Sequence, residues 1–165
     1  MADLLFKIGD VVVYVNCFAF VIYACIGGRN QSLLWSLVTL CFFNFLMQSI
    51  GVYLKDNHNS FNSEIFRHIW YLTFVFIDLV AVLFIFFVHR NNGIESSKFA
   101  VFIAGSFAFL AAVNTIRYIS YVLLNVDHFL IKEFYTYSIP YINICVAITT
   151  LFVTMKSVVH KRSLE

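Results

Sequence analysis

The residues that could do the most chemistry in this 165-residue chain are two ionisable groups set in otherwise apolar runs, Asp78 and Arg117. An ion near the middle of a spanning helix costs roughly 2.5 to 3.5 kcal/mol on insertion scales, so it is kept for pairing, for a pathway or for a ligand. Counted along their runs, Asp78 lies about eleven residues and Arg117 about seven from the same end of two antiparallel neighbours, a depth difference of about 6 Å. A long arginine side chain covers that distance, so the two are expected to pair. A salt bridge that only fixes helix register and a functional site both remain open on this reading.

Carboxamides accompany the two charges at similar depth: Asn16 in the first run, Asn44 and Gln48 in the second, Asn114 in the fourth and Asn143 in the fifth. Asn44 and Gln48 are four apart and Asn114 and Arg117 three apart, so each pair shares a helix face. Thr136, Pro140, Asn143, Ala147, Thr150 and Thr154 form a small or polar stripe at helical spacing, expected to face protein and not lipid. In one reading the amides are interhelical glue. In the other they line a polar pocket with Asp78 and Arg117 at its floor, flanked by Tyr14, Tyr71, Tyr118, Tyr121 and Tyr141, some of which an aromatic belt would place at the interface in any case. The candidate ligand-binding set is therefore Asn16, Asn44, Gln48, Asp78, Asn114, Arg117, Tyr118 and Asn143.

The elements that must position these side chains follow from composition. The chain is 61% hydrophobic and 12% charged, with a mean hydropathy of +0.85, outside the range of soluble domains. Five apolar stretches, 8–27, 33–54, 68–88, 99–124 and 135–159, are each of the length that crosses a hydrocarbon core. Backbone groups cannot stay unpaired in lipid and five strands could not close a barrel, so the prediction is all-α, a single five-helix membrane bundle spanning 1–165. The first stretch has one lysine against two aspartates before it and lacks the basic start of a signal peptide, so it is expected to be retained.

Orientation follows from Lys and Arg in the links. Lys7, Lys55, Arg67 and Lys132 fall on one side; Arg29, Arg90, Lys98, Lys156, Lys161 and Arg162 fall on the other, which the positive-inside rule makes cytoplasmic. The expectation is an integral protein of the plasma (inner) membrane with its N-terminus outside.

Other chemistries lack their parts. Cys17, Cys25, Cys41 and Cys145 lie in apolar runs with no CxxC pair, and His58, His68, His89, His128 and His160 border the spans, where solvated loop positions are expected. No HExxH, GxSxG or phosphate-cradling glycine motif occurs, and no lysine sits mid-span for a Schiff base. No cofactor or metal is implied, nucleic acid is not a partner, and an enzyme is the minority reading. Two functions compete: binding, transport or sensing of a small polar ligand or ion through the polar layer, or a ligand-free accessory or immunity-type protein that packs against a membrane-protein partner or its own copy.

Overall fold

Helix is the state forced on apolar segments in lipid, where every N–H and C=O must find its partner within the segment. A computed structural model describes residues 2–26 and 30–162, and the side chains of 7–26 and 30–159. The described residues form five long helices and no strand: α1 (Ala2–Cys25), α2 (Gln31–Asp56), α3 (Ser63–Asn91), α4 (Lys98–Tyr118) and α5 (Phe129–Arg162). Each is long and apolar enough to cross a membrane. Gly27, Gly28 and Arg29, and the side chains of His160, Lys161 and Arg162, lie outside the described residues.

The helix starts differ from expectation at α1, which begins at Ala2 and not 8, and at α3 and α5. α3 begins at Ser63 and not 68, because the Asn62 side chain accepts the Glu64 N–H and starts the helix in the polar link. α5 begins at Phe129 and not 135. Hydropathy sees only the lipid-facing length of a helix, whereas caps set its true ends. Asn30 and Ser97 cap α2 and α4 in the same way, accepting from the Leu33 and Ala100 N–H groups. α4 runs into a π-helical turn, Ile119–Leu123, and the link that follows turns through Asn125 at φ 51°.

Short links make consecutive helices antiparallel neighbours. α1 packs on α2 and α5, α2 on α3, α3 on α4 and α4 on α5, and α2 also touches α4. The helices thus close a ring with two ends: an N-terminal face, where α1, α3 and α5 begin, and a C-terminal face, where they end. Alanines at Ala81, Ala100 and Ala104 sit within the buried core and let α3 and α4 approach closely. Leu37, Leu40, Phe43, Ile85, Ile103 and Phe107 fill the half toward the C-terminal face. Large apolar side chains such as Phe42, Phe76, Phe86 and Phe152 point outward, as a lipid-solvated bundle requires.

Candidate functional site

The N-terminal half of the ring is not filled. Between the helices lies a cavity of about 890 Å³, walled by the beginnings of α1, α3 and α5 and the last turns of α2 and α4. Asn44, Gln48, Asp78, Asn114 and Asn143, five of the eight expected site residues, line it together. Four of the five amides at matched depth therefore converge on one space, Asn16 being the exception.

Asp78 stands on this wall at only 1% exposure, and the nearest polar partner is Asn114, whose Nδ2 donates to Asp78 Oδ2 at 3.4 Å and to the Leu110 carbonyl at 3.0 Å. Asp78 Oδ1 and Asn114 Oδ1 are buried with no donor in reach. A third acceptor follows from Pro140, which has no N–H and so leaves the carbonyl of Thr136 without its helical donor; both residues line the cavity.

The expected Asp78–Arg117 pair is not formed. Arg117 sits in the last turn of α4 and its Nη2 reaches Asp127 Oδ1 at 2.8 Å, while its guanidinium lies over the Tyr121 ring at 4.4 Å. The Asp127 side chain is 48% exposed, so pairing there leaves the ion at the wet end of the helix instead of drawing it toward the bilayer centre. In return the guanidinium holds the Asp127 carboxyl below the usual carboxylate range, through a direct hydrogen bond first and its charge second. Depth along the axis matched Asp78 and Arg117; the link after α4 supplied a better partner.

Three expected residues lie off the cavity wall. Asn16 is fully buried on α1 with both side-chain atoms unpartnered, Arg117 is engaged by Asp127, and the Tyr118 hydroxyl pairs with His68 Nδ1 at 3.0 Å. Of the flanking tyrosines, Tyr71 and Tyr121 line the cavity, whereas Tyr14 and Tyr141 are 74% and 68% exposed, as interfacial belt residues would be. The α5 stripe does turn inward: Thr136, Pro140 and Asn143 line the cavity, and Ala147, Thr150 and Thr154 are buried below it.

The sequence reading missed an aromatic wall. Phe66, Trp70 and Phe74 recur every four residues on α3 and end at Asp78, and their rings contact in series at 5.7 and 5.3 Å. That spacing was present in the sequence as a helical stripe leading to the acid. Tyr135 on α5 meets Tyr71 at 5.7 Å, which no local pattern announces. Lys55 and Arg67 line the mouth, and the Arg67 guanidinium also lies over the Tyr121 ring at 4.7 Å.

A second polar cluster lies near the C-terminal face and corrects the expectation that His89 is a solvated loop residue. α3 continues past it to Asn91, so His89 is 4% exposed inside the bundle. Its Nδ1 donates to the Ile85 carbonyl at 2.7 Å and its Nε2 lies 2.8 Å from Ser32 Oγ. Ser32 Oγ is 3.0 Å from Ser97 Oγ and accepts the Ser97 N–H at 3.0 Å. A serine beside a histidine is the start of a nucleophile, but both are buried and neither lines the cavity, so the cluster ties α2, α3 and the start of α4 together. Among the described residues no group of three His, Cys, Asp or Glu could hold a metal ion.

The cavity thus offers acceptors at its inner end, aromatic faces along its wall and cations at its mouth. Comparison with protein-family models, with curated proteins and with solved structures returns no match, so the reading of this membrane-embedded bundle rests on its own geometry.

Proposed function

We propose that this protein binds a small organic ligand in the cavity of its N-terminal half, as the recognition step of transport or sensing across the bilayer. The observation that carries the reading is one space of about 890 Å³ reaching Asp78 in a bundle otherwise packed. That size falls in the range of pockets that enclose drug-sized molecules. A bare ion would occupy a small fraction of it. Phe43, Phe107 and Leu40 fill the bundle toward the other face, which favours a blind binding site over an open pore.

With the N-terminus outside, as the Lys and Arg distribution favours, the cavity opens away from the cytoplasm. Cysteine accessibility tests both parts of the reading. In a background with the native cysteines replaced by alanine, Asn143→Cys and Asn59→Cys should react with a membrane-impermeant thiol reagent added to the outside of intact cells, and Ile103→Cys should not. Reaction of Asn59→Cys only from the cytoplasmic side would reverse the orientation. Failure of Asn143→Cys to react from either side would close the cavity and give the lead to a ligand-free protein that packs against a membrane partner.

A further inference from the structure

The inner end of the cavity has a chemical preference of its own. Asp78 and Asn114 each carry a buried oxygen with no donor, and no described cation pairs with them: Arg117 bonds Asp127 through Nη2, and its Nη1, itself unpartnered, reaches neither oxygen. Leaving an acceptor dry and unpaired inside a membrane protein costs free energy, and leaving a carboxylate so costs more. Arg67 does not relieve it, standing eleven residues up α3 from Asp78, roughly 16 Å along the helix axis.

From this we infer that the ligand is an amphipathic organic cation, an ammonium group on an aromatic or alicyclic body, whose N–H donors fill Asp78 Oδ1 and Asn114 Oδ1 while the body lies along Phe74 and Trp70. The inference rests on the reading of the cavity as a ligand site and adds its chemical class. An ammonium supplies donors and a positive charge together, the two things these unpaired oxygens lack. Aromatic faces attract cations and also pack against apolar bodies, so the same wall serves both parts of such a molecule. The alternatives fit less well. A calcium or magnesium ion needs about six oxygen ligands, and the inner end provides few. A carboxylate or phosphate would set its charge against Asp78 at the inner end, while the cations Lys55 and Arg67 stand at the mouth. An acyl chain would fill the volume and leave both oxygens unpaired.

The test uses the full-length protein in detergent with Trp35→Phe, which leaves Trp70 on the cavity wall as the sole tryptophan. Three probes on one carbon skeleton and of different charge are titrated against its fluorescence and by calorimetry: 3,3-diphenylpropylamine, 3,3-diphenylpropanol and 3,3-diphenylpropanoate. The amine should bind saturably and at least about tenfold tighter than the alcohol, with the carboxylate weakest. Asp78→Asn should remove the amine preference while changing alcohol binding less than about threefold. If that variant does not accumulate, Asn114→Leu carries the comparison and should weaken the amine selectively. Equal or tighter binding of the alcohol or carboxylate, or an amine preference that survives these substitutions, overturns the ammonium assignment and leaves the pocket standing. Absence of saturable binding by all three probes overturns the pocket and the assignment together.

Discussion

Two polar clusters sit at opposite ends of the same bundle, and they handle burial in opposite ways. Around His89, each ring nitrogen has a partner, and Ser32 joins the histidine to the N-cap of α4. Around Asp78, the carboxylate and its amide neighbour, both on the cavity wall, each keep a buried oxygen unpartnered. Polar groups whose bonds close on one another stabilise a fold; polar groups left open at a cavity await something else. Burial alone did not distinguish them, since both sets are nearly inaccessible. The completeness of their pairing did.

The sharpest way to break this comparison is at the closed cluster. His89→Phe keeps an aromatic ring but removes the two hydrogen bonds to Ser32 Oγ and the Ile85 carbonyl, and should cost about 2 kcal/mol in a denaturant titration in mixed micelles. Asp78→Leu should act with the opposite sign and slightly smaller size, raising stability by about 1 to 2 kcal/mol while abolishing amine binding, because it removes an uncompensated acceptor. Should Asp78→Leu destabilise as much as His89→Phe, the open cluster is structural after all.

Smaller effects refine the picture at the cavity rim. A Cβ at Gly9 would collide with the Gln48 carboxamide, which donates to Asp10 at 2.8 Å. Gly9→Ala should therefore cost about 1 kcal/mol or less, the clash being offset in part by better helix propensity. In the Gln48→Ala background the same change should become neutral or stabilising, and equal losses in both backgrounds would show that the two residues are uncoupled.

The smallest expected effect is a pH dependence at the Arg117–Asp127 pair. Since folding lowers the Asp127 pKa, its contribution is in place above the normal carboxylate range and disappears as pH falls through the depressed value. Hydrogen exchange across 124–128 should rise as pH is lowered from about 5 to about 2, after correction for intrinsic rates. Asp127→Asn should show fast exchange at both ends of that range; an unchanged profile would mean that the link is held by something other than this pair.

Much of the polar layer was legible because depth is a one-dimensional quantity. Counting residues from a helix end places Asn44, Gln48, Asp78, Asn114 and Asn143 at one level, and all five meet at the cavity. Azimuth is harder. Asn16 has the right depth but is buried outside the cavity, and Tyr14 and Tyr141 have the right type but face outward. A helix face is readable only when several residues mark it, as Phe66, Trp70 and Phe74 do on α3.

By itself the sequence determined that the chain is helical, that it has five segments fit to cross a membrane and that a charge is retained within the third. These are consequences of local quantities: the length of an apolar run, the need for each backbone group to pair within its own segment, and the cost of an ion in hydrocarbon. Partner choice belonged to the tertiary structure. Arg117 had a carboxylate four residues deeper on α3 by axial count and another ten residues on in its own chain, and only the path of the link through Asn125 brought Asp127 within 2.8 Å. His89 likewise became a core residue because α3 and the starts of α2 and α4 meet around it. Which side chains meet across helices depends on rotation and packing of whole elements, a property that no single segment carries.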